Sequence, residues 1–344
     1  MNIVHYPYEL PVSGVLMYVL YLLEGFKKRG HNVLCVSLQD GLMRDKLESL
    51  AIPVKIIDNE VKLDDIASAF EANVLHGHTC IGGSYATVSS TLLKLKGMSI
   101  VGGETLHSAC SLGLNPVADF EIALSPHLLS MRPKSTYIRF AIDTRRLQVT
   151  EDRKSFRARY NIPEDAFVIG RVGRLVGPKL PFVFIDVLAR TPFVHGMMCG
   201  DGDLKEDLKH YAEQLGCIDR LAFVEEDFNI GNRLNAMDLF VYPTQDELVC
   251  AVVIEAMAFG LPVVAYCREG IHDVIKDYVT GLLAYDVNTM TERVHKLVKN
   301  DALRTRLATT GKEFVIASGY ADLDRMVVEH EEVYERCLNT LRSS

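Results

Sequence analysis

Short apolar runs alternate with longer amphipathic stretches along nearly the whole chain, and that rhythm is compatible with few folds. A strand buried on both faces reads as a continuous Val/Ile/Leu-rich run, and a helix between two such runs returns the chain so that they pair in parallel. In the first half, residues 2–6, 32–37, 54–57, 74–78, 99–102 and 122–125 have this character, separated by helical segments such as 14–29. In the second half, 167–173, 193–199, 221–224, 239–242 and 262–265 repeat it. The pattern predicts an α/β chain with a doubly wound parallel sheet built twice. The rhythm breaks at Asp143-Thr144-Arg145-Arg146, a charged helix at 151–160 and Ile162-Pro163-Glu164-Asp165, so the predicted domains are 1–148 and 149–320. At 344 residues the chain is long for one domain and comfortable for two, each with its own core.

Chemistry concentrates in the second half. Glu247 and Glu255 close either end of a stretch that is otherwise apolar, Leu248-Val249-Cys250-Ala251-Val252-Val253-Ile254. If residues 250–260 form a helix, the neighbours of Glu255 on its own face are Ala251, Val252, Ala258 and Phe259. Such a carboxylate is buried, and burial is costly without hydrogen-bond donors, which the local sequence does not supply and a polyhydroxylated ligand would. A strand ending at Tyr242-Pro243 precedes the pair, and Gly260-Leu261-Pro262 stops the helix after it. Helix N-terminal amides at the end of a parallel strand suit an anion, phosphate being the natural one. Were the intervening residues all helical, the glutamates would lie about 12 Å apart along the axis, close to the span from a sugar ring across a diphosphate to a ribose.

Segment 238–281, with its E-x7-E, Ala256-Met257-Ala258-Phe259-Gly260-Leu261-Pro262-Val263-Val264 and Gly270 to Thr280-Gly281, resembles glycosyltransferase family 4, whose fold is GT-B. The likeness extends upstream through Gly173-Arg174, Lys179, Gly200-Asp201-Gly202 and Leu221-Ala222-Phe223, and to Ser13-Gly14 and Arg29-Gly30-His31-Asn32-Val33 near the start. It is dense from 165 to 285 and thin from 40 to 145. The resemblance implies two Rossmann-like domains facing across a cleft, the first binding acceptor and the second the nucleotide sugar, with a final helix at about 321–341 packing back on the first. It implies a retaining, metal-independent transfer from a nucleoside-diphosphate sugar, UDP-sugars among the donors, to an acceptor hydroxyl in glycan, glycolipid or polysaccharide biosynthesis. Glu247 would then bind a donor-sugar hydroxyl and Glu255 the ribose; Arg174 and Lys179 would take the diphosphate charge, and His107 would face the sugar. Gly14, Gly202 and the backbone of Val249, Cys250 and Ala251 would complete the donor site. No cofactor is expected beyond the donor itself.

The chain also departs from that pattern. Leu248-Val249-Cys250 stands where a glycine and an aromatic follow the first glutamate, Leu180 replaces a glycine after Lys179, and Phe140-Ala141 replaces an Asn-Gly before the connector. Glu225-Glu226-Asp227 stands where a glycine-containing segment borders the base. These changes keep a second reading in view, a nucleotide-sugar-binding protein with little or no turnover. A nicotinamide-dependent dehydrogenase is disfavoured, because no G-x-G-x-x-G follows the first strand.

Composition narrows the partners. Residues 1–150 balance 14 basic against 14 acidic residues, so the whole net charge of −8 falls on the remainder. No nucleic-acid footprint follows, and membrane contact is at most peripheral. Arg132, Lys134, Arg139, Arg145 and Arg146 read as solvated connector charge. The eight cysteines, 35, 80, 110, 199, 217, 250, 267 and 337, show no metal-finger spacing and read as buried thiols of a reducing compartment. The apolar run 15–23 is too short to span a bilayer, so a cytoplasmic location is expected. His76 and His78 share one face of a probable strand, but no third ligand is near in sequence, and Cys80 is a poor one; the expectation is a structural pair and no metal site.

Overall fold

The computed structural model describes all residues except 8, 9, 11–13, 60, 61, 80–90, 92, 93, 96–98, 108–116, 226, 246, 248 and 344. The chain forms two compact units, Met1–Ala141 with Asp322–Ser344, and Ile142–Ala321. The chain passes between them at Ala141–Ile142, ahead of the expected 148, because Ile142 already donates its amide to Tyr320 in the second unit. Among the described residues no helix is long and apolar enough to cross a membrane.

The first unit holds β1 (Asn2–Pro7), β2 (Asn32–Ser37), β3 (Val54–Ile56), β4 (Val74–Thr79), β5 (Val101–Leu106), β6 (Phe120–Ala123) and β7 (Thr136–Tyr137). All pair in parallel in the order β3-β2-β1-β4-β5-β6-β7. One face carries Val4, Tyr6, Leu34 and Leu75 into an apolar core. The opposite face, one residue out of phase, carries His5 and His76, paired in register across β1 and β4. Helix Leu323–Ser343 belongs to this unit: Glu331 pairs with Arg29 at 2.6 Å and His31 at 2.7 Å.

The second unit holds β8 (Val168–Val172), β9 (His195–Cys199), β10 (Leu221–Val224), β11 (Leu239–Tyr242), β12 (Val263–Tyr266) and β13 (Leu282–Ala284). They too are parallel, in the order β10-β9-β8-β11-β12-β13. Each sheet therefore reverses its winding once, between β1 and β4 and between β8 and β11. At such a switch point the helices on either side diverge and leave room for a ligand beyond the carboxyl ends of the strands. The core of this unit packs Ile169, Phe184, Leu188, Met198, Val241, Val264 and Leu297, each burial worth roughly 1.5–3 kcal/mol. Helix Ala251–Phe259 buries Val253, Ile254, Ala256 and Met257 and stops at Gly260, whose φ of 101° a side chain would disfavour.

The two doubly wound sheets agree with the expected fold class. The strand expected at 99–102 is displaced to Val101–Leu106, and β7 and β13 lie where no strand was expected. Strands of two and three residues are too short for alternation to register. Cys35, Cys199, Cys217 and Cys250 are buried free thiols, Cys267 and Cys337 half-buried ones; Cys80 and Cys110 lie outside the described residues.

Candidate active site

The loop after β8 brings Arg174 to the carboxyl edge of the second sheet. Leu175 donates its amide to Asp201 at 2.8 Å, and Leu204 donates to Leu175 at 3.2 Å, so this loop and the one after β9 are joined backbone to backbone. Gly202 sits at the junction with φ 153°, and a Cβ there would lie 2.5 Å from the Leu175 carbonyl oxygen. Its glycine is thus required by the loop behind Arg174. Arg174 is exposed, and among the described residues its guanidinium has no partner. Arg171, two residues before Gly173, was not singled out by the sequence reading. It is fully buried, Nε and Nη1 have no hydrogen-bond partner, and Nη2 reaches the Arg174 carbonyl at 3.4 Å. Loss of water around this cation lowers its pKa to about 10.

Lys179 closes the short helix Gly177–Lys179, and its Nζ meets Glu247 Oε2 at 2.5 Å. Tyr242, at the end of β11, donates its hydroxyl to the same carboxylate oxygen at 2.9 Å. The pair is held from both sides, since Gln245 donates to the Pro178 carbonyl at 2.9 Å and Gly270 donates to the Glu247 carbonyl at 2.8 Å. Burial pushes the Tyr242 hydroxyl well above the usual phenol range, so it remains a donor. Lys179 and Glu247, which the sequence placed on separate tasks, are joined here; Tyr242 is a further member that its place at a strand end before proline would have suggested.

Helix Ala251–Phe259 starts from Cys250, with no side chain capping its first turn, and Val249, Cys250 and Ala251 form the approach to it. Leu248 lies outside the described residues. Because the helix begins only at Ala251, Glu247 is not on it, and the 12 Å axial separation expected for a continuous helix does not apply. Glu255 is buried as expected, 3% exposed, but the donor the local sequence lacks is in the protein: Arg146 Nη1 donates to Oε1. Arg146 also donates through Nε to the Phe228 carbonyl at 2.7 Å, and its side chain is 16% exposed. The expectation that Arg146 is solvated connector charge is therefore corrected. Burial raises the Glu255 pKa, and the Arg146 and Arg233 cations oppose the rise. No hydrogen bond reaches Oε2 of Glu255 among the described residues.

Gly14 and His107 belong to the first unit. Gly14 is exposed at the start of helix Gly14–Lys28, and a Cβ on it would meet nothing within 4 Å; Ser13 before it lies outside the described residues. His107 follows β5 and shares a hydrogen bond through Nε2 with His78 Nδ1 at 3.3 Å, its ring edge-on to Tyr18. Burial lowers its pKa to about 3. No third ligand is near His76 and His78 in sequence, but in the fold His5, distant in sequence, stands beside them because β1 and β4 are neighbours.

Residues 152–314, within the second unit, match the family model described as glycosyl transferases group 1. The lipopolysaccharide core biosynthesis glycosyltransferase LpsE of Rhizobium meliloti is 32% identical over 162 residues, 46% of this chain and 48% of that protein. The D-inositol 3-phosphate glycosyltransferase of a Nocardioides species is 28% identical over 217 residues, 56% of this chain and 47% of that one. The chain thus spans about half the length of these curated relatives. Whole-chain likeness is to solved structures. Anabaena Alr3699/HepE in complex with UDP-glucose superposes with TM-score 0.84 at 19% identity, covering 100% of both chains. The lipopolysaccharide-biosynthesis glycosyltransferase WaaG superposes with TM-score 0.72 at 16% identity over 94% of this chain and 97% of WaaG. The fold is GT-B.

Proposed function

We propose that the protein is a retaining glycosyltransferase of the family 4 type, moving a sugar from a nucleoside-diphosphate sugar to an acceptor hydroxyl in glycan or lipopolysaccharide assembly. The observation that carries this reading is the Lys179–Glu247–Tyr242 constellation beside an uncapped helix start, within the stretch that matches the group 1 family model. HepE, of the same fold, is described with UDP-glucose, which supports a UDP-sugar as the donor to try first. The names of LpsE and WaaG support a lipopolysaccharide or polysaccharide acceptor.

In this mechanism the bond from the anomeric carbon to the diphosphate oxygen breaks with its electron pair leaving on the phosphate. The acceptor oxygen bonds the same carbon from the same face, and its proton passes to the departing phosphate. Lys179 is already oriented by Glu247, so little further ordering is needed when the diphosphate arrives. Arg174 adds a planar fork for two phosphate oxygens, and the first-turn amides of helix Ala251–Phe259 add aligned dipoles. Glu247 takes a sugar hydroxyl, and Oε2 of Glu255 takes a ribose hydroxyl. The cations stand where a divalent ion would otherwise balance the leaving group.

The test is a screen of nucleotide sugars, UDP-glucose first, for release of free nucleoside diphosphate with excess chelator present. Turnover is expected, with a product that keeps the donor's anomeric configuration by NMR. Arg174→Ala and Lys179→Ala should each lower the rate about a hundredfold, near 3 kcal/mol of transition-state stabilisation. An inverted product, or wild-type rates in both variants, overturns the mechanism; tight binding of every donor without turnover supports the binding-protein reading instead.

A further inference from the structure

Away from these residues, the first unit buries an unusual set of imidazoles. His5 comes from β1 and His76 and His78 from β4; each offers a ring nitrogen within 4.8 Å of those of the other two. Geometry makes this nearly unavoidable. His5 pairs in register with His76 in a parallel sheet, so both point to one face, and His78, two residues on, points there as well. All three are fully buried.

Hydrogen bonds satisfy five of the six ring nitrogens, His76 Nε2 among them through Thr105 Oγ1 at 2.7 Å, and leave one over. His5 Nδ1 and His78 Nε2 share a hydrogen bond at 2.7 Å, but Nε2 of His5 has no partner among the described residues. The outer atoms are better served. His76 Nδ1 meets the Tyr334 hydroxyl at 2.5 Å, and His78 Nδ1 meets His107 Nε2 at 3.3 Å. Outer partners of this kind orient the histidines of a metal centre.

We propose that His5, His76 and His78 bind a divalent transition-metal ion of borderline softness, zinc being the representative, through neutral imidazole nitrogens. Three nitrogen ligands from rigid strands, with no carboxylate among them, suit zinc, copper or nickel and not magnesium or calcium. Two nitrogens about 2.05 Å from a tetrahedral zinc stand about 3.3 Å apart. His5 Nδ1 and His78 Nε2 therefore separate by roughly half an ångström to admit the ion, which replaces the bond between them and takes the place of Thr105 on His76 Nε2, while His5 Nε2 stays outside the coordination sphere. The site ties β1 to β4 at the switch point of the first sheet, and His107, expected to face the donor sugar, is the hydrogen-bond partner of His78.

Access to a fully buried site comes during folding, so the full chain is produced in cells supplied with zinc, gel-filtered with a mild chelator and assayed by atomic emission. About one zinc per chain is expected. His5→Gln and His78→Gln, which keep a polar amide in each place, should lose it, and His272→Ala should retain it. The last variant matters because Cys267 Sγ and His272 Nε2 are 3.0 Å apart and offer a competing site. Zinc-free wild type, or zinc that survives His5→Gln and disappears in His272→Ala, overturns the proposal. If the glutamine variants do not fold, zinc-edge X-ray absorption of the wild type decides: three or more imidazole nitrogens near 2.0 Å support the site, and a sulfur near 2.3 Å overturns it.

Discussion

Glu255→Leu would leave the Arg146 guanidinium facing an apolar helix without the carboxylate that balances its charge. Arg146 is 16% exposed, so the loss should be somewhat below that of a fully buried pair, about 2–3 kcal/mol. Arg146→Met with Glu255→Leu removes both charges and should recover most of it. Thermal unfolding of the two variants checks this; equal stability of Glu255→Leu and wild type would show that the pair contributes nothing. From sequence alone the single substitution would have been expected to be harmless. The burial of Glu255 was legible from its neighbours three and four residues away, whereas its partner lies 109 residues upstream. His5 escaped attention for the same reason: its relation to His76 exists only through the pairing of β1 with β4. Arg174, Lys179 and Glu247 stood out because a motif names them; Arg146, Tyr242 and Arg171 belong to no motif.

Between the short helix Gly177–Lys179 and the helix Pro181–Ala189 the chain turns at Leu180, which has φ 44° and ψ 49°. A left-handed conformation costs a residue with a Cβ roughly 1–2 kcal/mol, at the position where glycine was expected. The Leu180 side chain is partly buried against the core of the second unit, which offsets that strain. Leu180→Gly is therefore expected to change stability by less than about 1 kcal/mol despite deleting a whole side chain. A chemical-denaturation loss of 2 kcal/mol or more would show that packing outweighs the strain. The element that holds Lys179 is thus set by a compromise, which a residue-by-residue comparison with a motif registers only as a mismatch. The long central strands were readable because burial on both faces leaves an unbroken apolar run; at the sheet edges β7 leaves none and β13 one of only three residues.

The two units should part company in acid. Burial holds His5 and His107 near pKa 3 and His330 near 4, with His76 and His78 also far below 6.5. A depressed imidazole contributes stability that is complete above about pH 6.5 and is lost as pH falls toward the folded value, since only the unfolded chain takes up protons there. As pH falls below about 6.5 the unfolded chain takes up protons that the five buried rings resist, and the losses accumulate against a domain stability of only about 5–15 kcal/mol. A metal on the same rings moves the balance in the same direction, because protons compete for its ligands. The first unit should unfold between about pH 6 and 4.5 while the second persists, seen as loss of amide protection confined to residues of the first unit; simultaneous loss in both would contradict it. The first unit also consists of two stretches, Met1–Ala141 and Asp322–Ser344. His76 meets Tyr334 across 258 residues, and Tyr18 meets His330 across 312. A chain emerging from the ribosome therefore presents β1 to β7 long before their last helix exists, and the second unit, continuous in sequence, can finish first. Until the helix Leu323–Ser343 has been made, the histidine face of the nascent sheet stays uncovered, and that helix closes it.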